Sequence, residues 1–292
     1  MNSFRQVVQD AARLLEDAGV PSPTVDATEL LNFVMSSGGG VVGPFDAVTK
    51  NQIEDFQALV DKRCNRIPLQ HLTGVAYFRH LTLQVGAGVF SPRPETELLA
   101  QVGVDVLKSG MTAVDLCSGS GAVALALATE VAGVSVHAVE MSADACEFLT
   151  QNVARYSSTL AENGSTVTVY LADAMDSTVL AHLFGRCDVV LSNPPYIPSG
   201  MIPREPEVRD HDPDLALYGG LDGFDIARGV IEVAAGLLVS GGVFGMEHAD
   251  VQGESVGELF DTRWTHVNDH TDYNLLPRYV TAVRSSAKMD AS

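Results

Sequence analysis

The sequence predicts an α/β fold in which helices cover both faces of an open, mostly parallel sheet, preceded by a small helical domain. The first observation is a helical spacing of apolar residues through the N-terminal part of the 292-residue chain. The second is an alternation of strand-like and helix-like runs from Val114 onward, which is the pattern of repeated β-α units. Hydrophobic residues make up 46% of the chain and charged residues 19%, so the chain can bury a sizeable core.

Three helices are predicted in the N-terminal part. Apolar residues fall at helical spacing over residues 4–18, and the same spacing predicts helices over 25–35 and about 50–66. Thr24 is a candidate N-cap of the second helix, because a threonine oxygen can accept a hydrogen bond from a backbone N–H of the first turn. Residues 1–74 are therefore predicted to form a helical domain.

The pattern then changes to short strands. Residues 75–92 carry β-like stretches that glycines interrupt, and they are predicted to form a β-hairpin linker. Residues 93–292 are predicted to form the α/β domain. Its strands are predicted at 114–117, 134–139, 166–171, 188–191, 242–246 and 279–283. Its helices are predicted at 121–131, at 143–156 with Ser142 as the N-cap, and at 226–239.

The charge and the cysteines argue against several functions. A net charge of −19 repels phosphate backbones and anionic membranes, so we expect neither direct nucleic-acid binding nor a membrane partner. The cysteines are scattered, with no Cys-x-x-Cys pair and no His-Cys cluster. This predicts reduced thiols in a cytoplasmic protein and no metal site. The N-terminus lacks an uninterrupted apolar segment, so no secretory signal is expected.

Ligands of such sheets bind at the carboxyl ends of the strands, and two features there predict a nucleoside. The loop from Asp115 to Gly121 carries glycines that let a ligand approach the backbone, and the next helix offers free N–H groups. Glu140 ends the following strand, where a carboxylate can accept both hydroxyl protons of a ribose. The two features fit a dinucleotide as well as S-adenosylmethionine.

A third strand-end feature, the segment Asn193-Pro194-Pro195-Tyr196, separates these cofactors. A residue before proline is held extended, and the prolines have no N–H group. The Asn193 carboxamide oxygen and the Pro194 carbonyl can therefore accept the two N–H groups of a substrate amine or amide, beside the ring of Tyr196. Orienting a weakly nucleophilic amide nitrogen in this way favours its attack on a methyl sulfonium, with no metal and no covalent nucleophile.

Several stretches resemble those of the release factor glutamine methyltransferases of the HemK/PrmC type. They are RIPLQHLTG (66–74), SPRPETELL (91–99), DLCSGSGAVALALA (115–128), SNPPYIP (192–198) and ALYGGLDGFD (216–225). The resemblance implies a class I S-adenosylmethionine-dependent methyltransferase, with a Rossmann-like, mostly parallel seven-stranded sheet. It also implies methyl transfer to the side-chain amide nitrogen, N5, of the glutamine in the Gly-Gly-Gln motif of peptide-chain release factors. The helical domain would dock that protein substrate, and the cofactor would leave as S-adenosylhomocysteine.

The resemblance assigns cofactor contacts residue by residue. The methionine part of S-adenosylmethionine would lie against Cys117, Ser118, Gly119, Ser120 and Gly121. Glu140, where the family more commonly has aspartate, would hold the ribose. Asp173 and its neighbour Ala174 would flank the adenine, and Ala174 is smaller than the residue often found there.

The resemblance also assigns substrate contacts. The glutamine amide would be held by Asn193, Pro194, Pro195 and Tyr196, with Asn193 also close to the cofactor. Arg93 and Glu95 either shape the rim of the pocket or form an ion-paired turn. The chain departs from the family at Cys117, in a loop that more often begins with glycine, and near His248, which we expect to be a solvent-exposed loop histidine without a role.

Three other interpretations stay open at the level of the sequence. The acceptor set also suits the exocyclic amine of a nucleobase, as in an adenine-N6 DNA or guanine-N2 rRNA methyltransferase, although the acidic charge counts against both. The glycine loop with Glu140 also fits a nicotinamide-dependent oxidoreductase, which leaves Asn193-Pro194-Pro195-Tyr196 unexplained. A cofactor-binding scaffold without activity is the third, and the retained Asn193 argues against it.

Overall fold

The computed structural model describes residues 3–36, 43 and 46–286, and parts of the predicted helical domain and the C-terminal tail lie outside them. The chain divides into two compact units. One comprises Met1–Val75 with Pro203–Asp212, and the other comprises Ala76–Ile202 with Pro213–Ser292. The sequence did not predict that residues 203–212 belong with the helices. The boundaries predicted for three segments, 1–74, 75–92 and 93–292, stay a prediction.

The first unit is helical. Its helices are α1 (Phe4–Asp17), α2 (Pro23–Ser36), α3 (Lys50–Cys64) and α4 (Leu69–Thr73), with a further short helix at Pro206–His211. Apolar residues from the first three helices are fully buried in its core, among them Leu15, Leu30, Leu31 and Val60. Because each of these helices has one apolar stripe, packing the stripes together removes them from water.

The prediction of Thr24 as an N-cap is wrong. Helix α2 begins at Pro23, and the N–H of Asp26 donates to the carbonyl of Ser22 at 3.0 Å, so Thr24 lies inside the first turn. Proline is favoured at the first helical position, because its fixed φ suits the helix and its missing N–H would have no partner there. Because of this preference the helix begins at Pro23, before Thr24.

The second unit begins with a hairpin and continues as a sheet with helices on both faces. The hairpin is β1 (Val75–Phe78) and β2 (Leu81–Gln84). The sheet strands are β3 (Thr112–Leu116), β4 (Ser135–Glu140), β5 (Thr166–Leu171), β6 (Cys187–Ser192), β7 (Leu238–Glu247), β8 (Trp264–Thr271) and β9 (Pro277–Arg284). The helices are α5 (Thr96–Val106), α6 (Ala122–Glu130), α7 (Ala143–Arg155), α8 (Ser157–Asn163), α9 (Pro206–His211, in the first unit), α10 (Asp214–Leu217), α11 (Asp225–Leu237) and α12 (Gly253–Val256). The short 3-10 helices are Ala181–Leu183, Asp250–Gln252 and Gly257–Leu259.

The sheet confirms the predicted fold class. Its seven strands run in the order β5-β4-β3-β6-β7-β9-β8. The pairs among β3, β4, β5, β6 and β7 are parallel, whereas β9 runs antiparallel to both β7 and β8. The predicted N-cap of α7 is also present, since Ser142 Oγ accepts from the N–H of Ala145 at 3.3 Å.

One strand was missed. Strand β8 lies at the edge of the sheet and pairs only with β9. Its sequence, WTHVNDHT, is largely polar, and most of its residues are exposed. An edge strand with little buried surface carries no apolar alternation, so no pattern in the sequence predicts it.

The order of the strands in the sheet determines where a ligand can bind. Strand β3 lies between β4 and β6, and the chain crosses from one side of β3 to the other between β5 and β6. The carboxyl ends of β3, β4 and β6 therefore meet at a topological switch point, where open α/β sheets bind ligands. Among the described residues, no helix is long and apolar enough to cross a membrane.

Candidate active site

The loop after β3 turns sharply and presents its backbone. Gly119 and Gly121 have φ of 56° and 86°, and Cys117 has φ of 65°. A β-carbon on Gly119 would have no neighbour within 4 Å, so the space above this loop is open. A β-carbon on Gly121 would collide with Leu149 of α7, so this glycine is needed for the packing of the helix.

Cys117 stands where the family more often has glycine, and this replacement affects both the backbone and the side chain of the loop. A positive φ favours glycine, the residue that the family more often has there, so a cysteine in this conformation stores strain of about 1 kcal/mol. Burial, followed by the charge of Glu140, raises the pKa of the Cys117 thiol. The thiol is therefore protonated and unreactive at neutral pH.

Buried acids hold the loop. Asp115 is 1% exposed, its Oδ2 accepts from the N–H of Ala124 at 3.1 Å, and burial raises its pKa to about 7. Glu140 accepts the N–H groups of Gly119 and Ser142, each at 2.8 Å, one on each carboxylate oxygen. Each oxygen of a carboxylate can accept a further hydrogen bond, so Glu140 can still receive hydroxyl groups.

The segment from Asn193 to Tyr196 follows β6, directly beside this loop in the sheet. Asn193 is half-buried, and its Nδ2 donates to Oγ1 of Thr96 at 3.3 Å. Pro194 is buried, and Pro195 and Tyr196 are half-buried. Within the part of the chain that the structure describes, neither the Asn193 Oδ1 nor the Pro194 carbonyl receives a hydrogen bond. The two acceptors that the sequence singled out are thus available to a ligand.

The stretch ALYGGLDG holds the backbone of residues 195–197, directly after the two acceptors. The N–H of Ile197 donates to Leu217 at 2.8 Å, and the N–H of Gly219 donates back to Ile197 at 2.9 Å. A β-carbon on Gly219 would overlap the carbonyl of Pro195, and one on Gly223 would overlap the carbonyl of Tyr196. These glycines therefore allow one backbone to lie directly against another. The resemblance to the family includes this stretch but does not indicate its role.

Two positioning side chains were missed by the sequence reasoning. Gln252 is 4% exposed, and its Nε2 donates to the carbonyls of Tyr196 and Asp222 at 3.1 and 3.2 Å. Asn152 is fully buried, and its amide bonds both backbone groups of Gln84 in the hairpin and the carbonyl of Ser120 in the glycine loop. Each lies far along the chain from the loop it holds, so no local sequence signal could have revealed it.

Two charged residues, Glu247 and Arg278, lie close to Tyr196. Glu247 is 2% exposed at the end of β7, and burial raises its pKa to about 7. Burial and the charge of Glu247 raise the pKa of Tyr196 to about 12, against the positive charge of Arg278, which lowers it. The phenol of Tyr196 is therefore neutral at physiological pH and acts as a ring with a hydrogen-bonding tip.

Of the remaining predicted residues, Asp173 and Ala174 follow β5, whereas Arg93 lies close enough to Tyr196 for its charge to lower the pKa of that phenol. Asp173 is exposed after β5 and its Oδ1 accepts from the N–H of Met175 at 2.8 Å, while Ala174 is buried. The guanidinium of Arg93 lies over the ring of Phe90 at 5.1 Å. The predicted solvent position of His248 is wrong: it is 1% exposed and hydrogen-bonded to Asp269 at 3.0 Å, because the antiparallel strand β9 covers the end of β7.

Comparisons with known proteins agree with this geometry. Residues 6–74 match the family model of the PrmC N-terminal domain, and residues 80–201 match that of the methyltransferase small domain. The chain is 44% identical to the release factor glutamine methyltransferase of Streptomyces coelicolor, over 97% of this chain and 98% of that protein. It is 40% identical to the enzyme of the same name from Bifidobacterium longum, over 95% of this chain and 98% of that protein. It is also 33% identical to a 4-amino-L-phenylalanine/4-methylamino-L-phenylalanine methyltransferase of Streptomyces pristinaespiralis, over 97% of this chain and 96% of that protein.

The strand order separates the cofactor classes that the sequence left open. A dinucleotide-binding sheet is built from two parallel halves, whereas here the antiparallel β9 is inserted between β7 and β8. This sheet, with its site at the ends of β3, β4 and β6, is that of a class I S-adenosylmethionine-dependent methyltransferase. Its near full-length relatives narrow the assignment, and the chain belongs to the release factor glutamine methyltransferase family. This assignment excludes the interpretation of the chain as a nicotinamide-dependent oxidoreductase.

Proposed function

We propose that this chain methylates the N5 side-chain amide nitrogen of the glutamine in the Gly-Gly-Gln motif of peptide-chain release factors. The observation that carries the proposal is the pair of free acceptors, the Asn193 Oδ1 and the Pro194 carbonyl, beside the glycine loop. A primary amide offers two N–H groups in one plane, which matches two acceptors held in fixed directions. The names of the relatives over nearly the full chain support the choice of a glutamine amide.

The residues present suit S-adenosylmethionine. We assign the methionine part to the open loop from Cys117 to Gly121, the ribose to Glu140, and the adenine to Asp173 and Ala174. The open space over Gly119 and the unused accepting positions of Glu140 support this assignment. When bound, S-adenosylmethionine supplies a methyl group on a positively charged sulfur.

The catalytic contribution of the chain is orientation and charge stabilisation. An amide nitrogen is a poor nucleophile because its lone pair is delocalised into the carbonyl. Asn193 and Pro194 accept its two N–H groups, which turns the lone pair toward the methyl group and stabilises the positive charge that develops on nitrogen. Tyr196 packs against the planar amide, with Pro195 keeping the backbone between them rigid.

The partner and the location follow from the substrate. We assign docking of the release factor to the helical unit, whose residues 6–74 match the PrmC N-terminal domain. Translation termination takes place in the cytoplasm, and the four cysteines are all free thiols, as expected in that reducing compartment. Among the described residues no cluster could hold a metal ion, and the proposed reaction requires none.

The decisive experiment is mass spectrometry of a release factor incubated with this protein and S-adenosylmethionine. We expect one added methyl group on the Gly-Gly-Gln peptide. Free 4-amino-L-phenylalanine, naked DNA and rRNA serve as competing acceptors in parallel reactions. Faster methylation of any of these than of the release factor would overturn the proposal.

A variant tests the role of Asn193 itself. We expect Asn193→Ala to lower kcat by about 10²-fold, because one of the two acceptors is lost. Binding of S-adenosylmethionine, measured by isothermal titration calorimetry, should stay nearly unchanged. Equal losses in binding and turnover, or no loss at all, would contradict the assigned role.

A further inference from the structure

The PRPETE stretch contains a residue that reaches the site, and it is Thr96. Thr96 is the first residue of α5 and is 4% exposed. Its hydroxyl contacts two groups. It accepts a hydrogen bond from Asn193 Nδ2 at 3.3 Å, and it faces the buried carboxyl of Glu247 closely enough to lower the pKa of that group against the effect of burial. In this stretch the sequence points only to the neighbours Arg93 and Glu95.

Glu247 is placed for this contact by the sheet. Strands β6 and β7 pair in parallel, with Ser192 opposite Met246, so Asn193 and Glu247 follow side by side at the two strand ends. Glu247 is 2% exposed, and its Oε1 has no hydrogen-bond partner among the described residues. A buried carboxylate with an unpaired oxygen is costly, and natural structures keep such groups where they have a role.

The direction of these hydrogen bonds decides how the Asn193 amide is turned. A hydroxyl group has one proton, and a carboxylate can only accept. The Thr96 proton therefore goes to Glu247, which leaves a lone pair of Thr96 facing Asn193. Only the NH₂ end of the Asn193 amide can donate to that lone pair, so Oδ1 must point away from Thr96.

We propose that Thr96 and Glu247 are positioning residues that lock the Asn193 carboxamide with its oxygen toward the substrate N–H. Without them the amide could rotate by half a turn and present its NH₂ group, which would repel the N–H of the acceptor instead of receiving it. The inference rests on the proposed function in one respect only. The nitrogen that receives the methyl group carries an N–H that donates to Asn193. It holds for a glutamine amide and for an aryl amine alike.

The test compares two substitutions at Thr96. Thr96→Val removes the hydroxyl at nearly constant volume, and we expect kcat to fall about 10-fold with little change in KM, because one net hydrogen bond orients the amide. Thr96→Ser keeps the hydroxyl, and its kcat should stay close to that of the unchanged protein. Thr129→Val serves as the control. Among the described residues, the hydroxyl that it removes from α6 bonds carbonyls of its own helix and His80, so it should leave kcat unchanged.

A double substitution separates positioning from a general loss of structure. Thr96→Val should have no further effect on kcat in the Asn193→Ala background, since there is no amide left to orient. A second 10-fold fall in that background, or unchanged kcat in Thr96→Val alone, would overturn the proposal. Absence of release-factor methylation by the unchanged protein, with methylation of another acceptor, would instead refute the proposed function, and the same cycle can then be measured on that acceptor.

The pH profile provides an independent readout. Protonated Glu247 can donate to Thr96, which frees the Thr96 proton for Oδ1 of Asn193 and allows the wrong amide orientation. The groups around this carboxyl are Thr96 and Glu95 at the start of α5, Arg278 on β9 and Tyr196. Because burial raises the pKa of Glu247 to about 7, kcat should fall as the pH drops through that value. Glu247→Gln should have a lower kcat without this fall, and an unchanged acid limb in Glu247→Gln would contradict the assignment.

Discussion

Gly223 is the position where one added methyl group tests whether the backbone after β6 must be held in place. It has φ of 79°, and a β-carbon there would overlap the carbonyl oxygen of Tyr196 and lie 2.6 Å from Nε2 of Gln252. Gly223→Ala therefore combines two perturbations. The first is the strain of a positive φ, and the second is a collision with the segment that carries Asn193.

The two effects have different magnitudes and different readouts. A positive φ costs an alanine about 1 kcal/mol of folding free energy and has no direct effect on turnover. Relieving the overlap requires the Tyr196 carbonyl to shift by about 1 Å, and a misplacement of this size lowers a rate by about 10²-fold. Gln252 would also lose its hydrogen bond to that carbonyl.

Gly241 provides a matched control. It has φ of 83°, but a β-carbon there would meet nothing within 4 Å. We expect Gly241→Ala to lose about 1 kcal/mol of stability in urea unfolding and to keep its kcat. Gly223→Ala should lose more stability, and its kcat for methylation of a release factor should fall about 10²-fold. Equal kcat values for the two alanine variants would refute the reasoning, since strain would then be the only consequence.

Two further predictions concern stability. Burial alone would raise the pKa of Glu207, but hydrogen bonds from Arg66 and Arg63 outweigh it and lower the pKa from 4.5 to about 2. The stability that this carboxylate contributes is present above pH 4.5 and is lost as the pH falls through about 2. We therefore expect Glu207→Gln to unfold more easily at neutral pH, by about 3 kcal/mol, and to show a flatter acid unfolding curve by circular dichroism. Asn152→Ala leaves three backbone groups without partners and should lose about 3 kcal/mol in urea unfolding, whereas the exposed neighbour variant Gln151→Ala should lose almost nothing. A Gln151→Ala loss as large as that of Asn152→Ala would show that α7 itself, and not the bridging amide, carries the effect.

Much of the fold could be predicted because local pattern and burial agree. Helix α1, the hairpin and strands β3 to β6 have the spacing that their burial requires, and Ser142 caps α7 through contacts only three residues apart. The predictions that were wrong or missing also have local causes. Pro23 starts α2 earlier than Thr24 would, and β8 has too little buried surface to show a pattern.

The sequence by itself determined the chemistry of the site. Asn193 before two prolines predicts rigid acceptors, and the glycine loop with Glu140 predicts a nucleoside site, since both predictions depend on residue type and on neighbours in the chain. It also indicated the family through stretches that cover nearly the whole chain.

Only the tertiary structure decided how those acceptors are held. Thr96 contacts Asn193 and Gln252 contacts the carbonyl of Tyr196, although both are distant along the chain. Glu247 comes beside Asn193 because β6 and β7 end together at one edge of the sheet. A hydrogen bond between distant residues has no periodicity and no spacing rule. Its partners therefore become visible only when the strands are in register.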